Sequence, residues 1–216
     1  VRVAVIGVGY LGRFHAQKYA RLPEADLVAV VDPDEQRVRR VAEEVKTNAL
    51  ADYRELIGKV DAVSIVTPTP HHFDIARELL SSGVHVLVEK PMTKNLEQAE
   101  SLIAEAGRKG CILQVGHLER FNSAFTAIRP RLHNPMFIEA HRLTLFNERG
   151  LEVDVILDLM IHDIDIVLNI IKSPLVAVHA SGVSALLSLI HISEPTRLLS
   201  ISYAVFCLKK KNSRKM

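Results

Sequence analysis

The sequence predicts an α/β protein with a doubly wound parallel sheet, followed by the beginning of a second, α+β domain with an open mixed sheet. Three observations carry this prediction. Short runs of Val, Ile and Leu alternate with helical patterns in the first half, a glycine-rich turn follows the first run, and polar clusters follow the later ones. The 216 residues, 48% hydrophobic and 24% charged, are typical of a globular protein and exclude a disordered or collagen-like chain.

The first domain is expected to span residues 1–117. Its predicted strands are rich in Val, Ile and Leu, as strands buried on both faces should be, and occupy residues 2–6, 26–31, 62–66, 85–88 and 112–115. Apolar residues at helical spacing predict helices at residues 11–22, 35–45, 53–57, 73–81 and 96–108. Strands that alternate with helices form βαβ units, so the sheet should be parallel and covered on both faces.

The pattern changes after His117, where a partial substrate and oligomerisation domain is expected at residues 118–184. Its predicted elements are a helix, a strand, a longer helix and a strand, at residues 121–132, 136–144, 155–171 and 176–180. Two strands are fewer than an independent sheet usually needs, so the chain is expected to be a fragment. Residues 185–216 resemble translated sequencing read-through and predict a non-native tail; the alternative is a divergent strand with a solvated basic tail.

Charge and cysteine content exclude several classes of partner. Six of the 27 basic residues and one of the 25 acidic residues lie in residues 185–216, so residues 1–184 carry a formal charge of −3. The body shows no basic cluster of the kind that nucleic acid binding requires. The two cysteines are far apart and lack the spacing of metal ligands, which favours a reducing cytoplasm and no metal site. The apolar stretch at residues 198–208 is too short to cross a membrane.

The glycine-rich turn predicts a dinucleotide site. Gly7, Gly9 and Gly12 follow the first strand and open the first helix, the context in which a GxGxxG motif binds a pyrophosphate at a helix N-terminus. Asp32 ends the second strand, where its carboxylate can accept hydrogen bonds from an adenosine ribose. Asp32 would repel a 2′-phosphate, so NAD is expected rather than NADP. The alternative is a tight turn beside a solvated strand end.

Polar residues also follow the later strands, where ligands of open α/β sheets gather. Thr67, Pro68 and the pair His71-His72 follow the third predicted strand, and Glu89-Lys90-Pro91 follows the fourth. Pro91 favours an extended backbone at Lys90, and the ammonium can stabilise a developing alkoxide. Such a histidine pair most often lies near solvent at the start of a helix. The more specific alternative is that His72 contacts the cofactor.

The long helix carries a narrow polar stripe at i, i+4, i+7, i+11 spacing, formed by Asp158, His162, Asp165 and Asn169. A solvated face is the ordinary interpretation of such a stripe, but one this thin suits a cleft. His162 can take or return a hydroxyl proton near neutral pH, and Asp158 can orient it. A metal site at these residues lacks a distinct ligand motif, and a hydrolase is disfavoured because no Ser occupies a nucleophile elbow.

Taken in chain order, these motifs resemble the Gfo/Idh/MocA oxidoreductases. The resemblance runs from Val1 to about Val183 and is carried by residues 7–12 and 67–72, by Glu89-Lys90-Pro91, by Gly116-His117, and by Asp158-x-x-x-His162. It implies an NAD(P)-dependent enzyme acting on a sugar or polyol, with Lys90, Asp158 and His162 as catalytic residues, and a homo-oligomer when full length. The chain departs from the family at Met160, where many members carry Gly, and in the shortness of its second domain.

The resemblance extends to a substrate class. Residues 115–122 and 157–165 are similar to the branch of the family that acts on nucleotide-linked amino sugars, which implies oxidation of the 3-hydroxyl of a UDP-linked N-acetylamino sugar for lipid A biosynthesis. Arg120, Asn122, Asp158 and His162 would then contact the substrate, although Arg120 could equally form an ion pair at the domain interface. A dehydrogenase of a free sugar or an inositol, and a non-catalytic NAD-binding fragment, are the alternatives.

The resemblance also implies a full set of cofactor contacts. These are Gly7, Gly9, Tyr10, Leu11, Gly12, Asp32, Thr67, Pro68, His72, Glu89 and Lys90. In the expected reaction the substrate C–H hydride passes to the nicotinamide while His162 accepts the hydroxyl proton, Lys90 stabilises the oxygen and Asp158 holds His162.

Overall fold

Six parallel strands form the sheet of the first unit, in the order β3-β2-β1-β4-β5-β6. The computed structural model describes residues 1–133, 135–143, 156–180 and 201–204, and the chain divides into two compact units after His117. The strands are β1 (Arg2–Ile6), β2 (Asp26–Val31), β3 (Asn48–Leu50), β4 (Ala62–Ile65), β5 (His85–Val88) and β6 (Leu113–Val115). The doubly wound parallel sheet predicted from the sequence is confirmed.

Four helices cover the sheet on its two faces, at α1 (Tyr10–Tyr19), α2 (Glu35–Val45), α3 (His72–Ser81) and α4 (Leu96–Lys109). Alternate residues of β1 point to opposite faces. Val5 belongs to the apolar layer under α1 and α2, together with Ala16 and Val41. Ile6 belongs to the layer under α3 and α4, together with Leu79 and Leu102.

Helix ends follow local capping chemistry. Asp34 precedes α2 and its side chain accepts a hydrogen bond from the Arg37 N–H. Asn95 precedes α4 and accepts from the Gln98 N–H in the same way. Gly110 ends α4 with a φ of +65°, a left-handed conformation that glycine adopts without steric cost.

Two expectations for the first unit were wrong. The sequence analysis overlooked β3, because Asn48–Leu50 is a three-residue edge strand with two exposed residues and has no apolar run. Residues 53–57 were expected to form an α-helix, but Tyr53–Leu56 forms a single 3₁₀ turn in which Leu56 is buried. Both elements are too short to show a periodic pattern.

The second unit contains α5 (Ser123–Ile128), a strand β7 (Ala140–Leu143), a helix α6 (Ile161–Ile170) and a strand β8 (Ile201–Ala204). β7 and β8 are antiparallel. The helix expected at residues 121–132 is broken into α5 between two 3₁₀ turns. A π-helical turn at Ile156–Met160 precedes α6, so the long predicted helix is not uniform.

The strand expected at residues 176–180 was wrong, because that stretch has no regular structure and Val176 is 88% exposed. A strand needs a hydrogen-bonded neighbour, and this stretch has none among the described residues. Thr144, Val155 and most of the expected tail at residues 185–216 lie outside the described residues. Within the described part of the chain, no helix is long and apolar enough to cross a membrane.

Candidate functional site

The register of the sheet brings the sequence motifs of the first unit to one edge. Ile6 pairs with Val31 on one side and with Ile65 on the other, Ile65 pairs with Val88, and Val88 pairs with Val115. These five residues form one row across the sheet. The residues just beyond the row therefore line its carboxyl edge: Asp32, Gly7, Val66, Glu89 and Gly116.

The glycine turn is built in a way that leaves room for a ligand. Gly7 has a φ of +84°, and a Cβ there would lie 2.8 Å from the Thr67 nitrogen. A Cβ at Gly12 would overlap the Gly7 carbonyl oxygen, so the turn itself requires both glycines. Gly9 differs, because a Cβ there would meet no protein atom within 4 Å. Gly9 also begins α1 without a side-chain cap, which leaves the helix N–H groups open to a phosphate.

Asp32 is only 4% exposed, so the interpretation of a solvated strand end is wrong. Its Oδ2 accepts a hydrogen bond of 3.0 Å from the Val8 N–H, and its Oδ1 accepts one of 3.0 Å from the Asp34 N–H. The Arg37 Nη1 also lies 3.0 Å from Oδ1. Backbone N–H groups thus fix the carboxylate against the glycine turn.

Arg37 was missed in the sequence analysis. Its Nη2 lies 3.0 Å from an oxygen of Asp34, and the Arg37 backbone N–H is the main cause that lowers the pKa of the Asp34 carboxyl. Its position could have been noticed in the sequence, because Arg37 follows the helix-capping residue Asp34 by three residues. Its guanidinium offsets part of the negative charge of Asp32 and Asp34.

Glu89, the residue after β5, is buried. Its Oε1 lies 3.2 Å from the His15 Nε2, and its Oε2 accepts a 3.3 Å hydrogen bond from the Lys90 N–H. A Cβ at Gly116 would lie 2.8 Å from Oε1, so any side chain at this position would displace the carboxylate from where it lies. His15 was also missed; its signal is its position three residues after Gly12, one turn along α1.

His72 is 1% exposed. The interpretation of a solvent-exposed pair is therefore wrong for His72, although His71 is exposed. The two ring nitrogens of His72 lie 2.9 Å from the Pro91 carbonyl oxygen and 2.8 Å from the Thr67 carbonyl oxygen. Both ring nitrogens of His72 thus contact backbone carbonyl oxygens of the protein, and the contact between His72 and a cofactor stays a prediction.

Two buried polar atoms near this edge fit a polar ligand. The Thr67 Oγ1 and the His117 Nδ1 have no hydrogen-bond partner among the described residues. Buried polar atoms in folded proteins nearly always have a partner, so a bound molecule would complete both. A dinucleotide needs three features of such a site. The uncapped N-terminus of α1 and the open space at Gly9 fit its pyrophosphate, and the Asp32 carboxylate fits its ribose.

The second unit holds the other predicted catalytic residues at the start of α6. Asp158 lies in the π turn, His162 lies in the first turn of α6, and both are partly buried. Asp165 was expected to share their polar stripe toward a cleft. Instead it is buried in a bidentate pair with Arg120, whose Nε lies 2.7 Å from Oδ2.

A second bidentate pair holds α6 to β7. The Arg142 Nε and Nη2 lie 2.9 Å and 2.8 Å from the two oxygens of Asp163. Hydrogen bonds to Asp165 and to Asp163 raise the pKa of Arg120 and of Arg142, respectively. Sequence analysis did not find this pair, because 21 residues separate its partners.

Arg120 and Asn122, which were expected to contact the substrate, have partners within the protein. Arg120 forms an ion pair with Asp165, and both residues belong to the second unit. Asn122 caps α5, because its Oδ1 accepts a 3.0 Å hydrogen bond from the Ala124 N–H. Its Nδ2 donates to Glu119 at 3.2 Å. The described residues contain no group of three or more His, Cys, Asp or Glu that could hold a metal ion.

Comparisons with known proteins identify the family and the fold of the chain. Residues 1–117 match the model of an oxidoreductase family with an NAD-binding Rossmann fold. The chain is 44% identical over 186 residues to UDP-N-acetylglucosamine 3-dehydrogenase of Acidithiobacillus ferrooxidans, covering 86% of this chain and 59% of that protein. It is 30% identical over 194 residues to myo-inositol 2-dehydrogenase of Thermotoga maritima, covering 84% and 58%.

The structural comparison identifies the same relative. A solved structure of UDP-N-acetylglucosamine 3-dehydrogenase from Acidithiobacillus ferrooxidans superposes with a TM-score of 0.78 at 44% identity, covering 85% of this chain and 60% of that one. The chain thus spans about three fifths of the length of the curated relatives it matches. On the family match and these relatives, the chain belongs to the Gfo/Idh/MocA family of NAD-binding oxidoreductases.

Proposed function

We propose that the protein is an NAD-dependent dehydrogenase that oxidises the 3-hydroxyl of a UDP-linked N-acetylamino sugar. The observation that carries the dehydrogenase part is the carboxyl edge of the sheet, where the turn at Gly9 is open and Asp32 is fixed beside it. The substrate part rests on the 44% identity to a protein named UDP-N-acetylglucosamine 3-dehydrogenase. When bound, the nicotinamide supplies the hydride acceptor.

Three side chains would do the remaining chemistry. His162 accepts the proton of the substrate hydroxyl, and Asp158 orients its imidazole. The proposed role of the Lys90 ammonium is to stabilise the negative charge that develops on the substrate oxygen. Glu89 and His15 support this arrangement, because the buried Glu89 carboxylate accepts the Lys90 backbone N–H.

The preference for NAD over NADP is part of the proposal. Asp32 presents a fixed carboxylate where an adenosine ribose would lie, and a 2′-phosphate would be repelled by it. Arg37 opposes this effect, since its guanidinium lies 3.0 Å from the same carboxylate. We therefore expect NADH to bind more tightly than NADPH in a fluorescence titration, and tighter NADPH binding would overturn the preference.

The test of the reaction is NADH formation by the 216-residue chain with NAD and UDP-N-acetylglucosamine. We expect turnover with this substrate and little with myo-inositol or glucose. The 30% identity to myo-inositol 2-dehydrogenase makes inositol oxidation the second candidate. Turnover with inositol and none with the nucleotide sugar would establish that second function instead.

The role of His162 has its own test. His162→Ala should lower turnover roughly 10²–10⁴-fold, the usual size of a general acid–base contribution, with NADH affinity unchanged. His133→Ala is the matched control, because His133 is an exposed histidine of the same unit. Near-normal turnover by His162→Ala would show that another group accepts the proton.

The cytoplasmic location and the homo-oligomeric state expected from the sequence remain proposals. Sedimentation of the purified chain tests the second of them. A single species with the mass of one 24.1 kDa chain would contradict the oligomer for this polypeptide.

A further inference from the structure

The buried imidazole of His72 joins two loops at the carboxyl edge of the sheet. We infer that His72 donates a hydrogen bond from each ring nitrogen, and so acts as a positioning residue that fixes the Thr67 loop against the Lys90-Pro91 loop. The double donation stands on geometry alone. Its consequence for cofactor binding rests on the proposed function.

The two partners of His72 can only accept hydrogen bonds. They are the carbonyl oxygens of Pro91, 2.9 Å from Nδ1, and of Thr67, 2.8 Å from Nε2. A neutral imidazole has one N–H and one bare nitrogen, whereas the imidazolium has two N–H groups. A neutral His72 would therefore hold a bare nitrogen against a carbonyl oxygen. Both contacts are satisfied only when His72 carries both protons.

Burial acts on this arrangement in two ways. Because His72 is 1% exposed, a bare ring nitrogen held against a carbonyl oxygen costs more than it would beside solvent. Desolvation also penalises the imidazolium charge, so both hydrogen bonds to the carbonyl oxygens are needed to offset it. Several ionisable groups lie close to His72, Thr67 and Pro91 in sequence. Glu89 and Lys90 lie on the loop after β5, and His71 and Asp74 flank His72 near the start of α3. Residues 66–70, on the loop after β4, contain no ionisable group.

The loops that His72 joins are those of the proposed site. β4 and β5 are neighbours, and their last residues, Ile65 and Val88, are register partners. Pro91 is bonded directly to Lys90, and Thr67 carries a buried hydroxyl without a hydrogen-bond partner among the described residues. By holding both carbonyls, His72 sets the distance between these two neighbouring loops.

Nitrogen-15 NMR of the intact 216-residue chain at neutral pH tests the double donation directly. We expect both ring nitrogens of His72, assigned through its own backbone amide, to carry protons. The exposed His71 provides an internal reference in the same spectrum. A bare nitrogen on His72 would overturn the inference, and this result does not depend on any variant or on NAD.

The positioning role is tested by NADH titration of His72→Gln, which can keep one of the two bonds. Because the Thr67 loop and the Lys90-Pro91 loop are then less firmly held in the arrangement that binds NADH, we expect NADH to bind about tenfold more weakly. His71→Gln, the control at the adjacent exposed histidine, should bind NADH as the parent chain does. Unchanged affinity in a folded His72→Gln would overturn the positioning role. If the parent chain does not bind NADH, the proposed function is overturned, and the positioning role with it. The NMR experiment would still decide whether His72 donates both hydrogen bonds.

Discussion

The two units are stabilised by different interactions. In the first unit, two apolar layers fill the faces of the sheet, with Leu79, Leu102 and Val41 fully buried. In the second, Val167 is the one buried apolar side chain among the described residues. There α6 is held by the pairs Arg120–Asp165 and Arg142–Asp163. The unit that holds the glycine turn thus has a conventional core, whereas the described contacts of the helix that carries His162 include two charged pairs.

Among these substitutions, removing a buried apolar side chain should lower the free energy of unfolding most, and it should affect only the first unit. Leu79→Ala deletes a side chain with no exposed surface and should lower the free energy of unfolding by about 2–5 kcal/mol. Urea unfolding followed by circular dichroism measures this loss. Leu96→Ala, at a 69% exposed position, is the control and should change little. A loss below about 1 kcal/mol for Leu79→Ala would contradict a packed core.

Breaking an ion pair should have a smaller effect that is confined to the second unit. Asp165→Asn removes the charge that Arg120 pairs with and should cost about 1.5–3 kcal/mol, the range for hydrogen bonds to charged groups. Hydrogen exchange of the α6 amides should become faster, while exchange in β1 stays the same. For comparison, Glu35→Gln breaks the exposed Arg39–Glu35 pair and should cost about 0.5 kcal/mol or less. Slow, unaltered exchange in α6 of Asp165→Asn would show that packing, not the pair, holds this helix.

One substitution in the first unit should stabilise it slightly. Gly107 lies inside α4, where a Cβ would meet nothing within 4 Å. Gly107→Ala should therefore raise the free energy of unfolding by up to about 1 kcal/mol, the difference in helix propensity. The same urea experiment measures it. A destabilised variant would mean that the surface of α4 is covered in solution.

The smallest expected change is in the titration of Tyr53, a residue of the first unit. Burial and then the hydrogen bond to Glu78 raise the pKa of Tyr53 to about 12. A raised pKa stabilises the fold while Tyr53 is neutral, so this contribution is present below pH 10 and lost as the pH rises toward 12. Glu78→Gln should lower the pKa only in part, because burial is the larger cause. Phenolate absorbance measures it, with Glu97→Gln as the control. An unchanged Tyr53 titration would contradict a contribution from Glu78.

Local patterns explain why the first unit was predictable. Strands such as β1 and β2 are continuous apolar runs, and Gly7, Gly9 and Gly12 mark a turn with known geometry. The row of register partners then follows from the parallel topology. The short strand β3 carries no such pattern, which is why it was overlooked.

The supporting contacts of the site could not be predicted, because they join residues that are distant in sequence. His15 lies 74 positions before Glu89, and nothing local marks the pair. The double contact of His72 depends on how two loops leave the sheet. In the second unit, the π turn shifts the helical register, and Asp165 is therefore better explained by its partner Arg120 than by the stripe that sequence spacing suggested.

The central claim is that the carboxyl edge of the first unit binds the dinucleotide at Gly9. The most direct test is NADH titration of the parent chain, of Gly9→Ala and of Gly107→Ala, with thermal unfolding measured for each. A methyl group at Gly9 meets no protein atom within 4 Å, so the account expects an unchanged fold and NADH binding at least about tenfold weaker, a loss of 1.4 kcal/mol or more. Gly107→Ala should bind NADH like the parent. Equal NADH affinity in all three chains would contradict the claim.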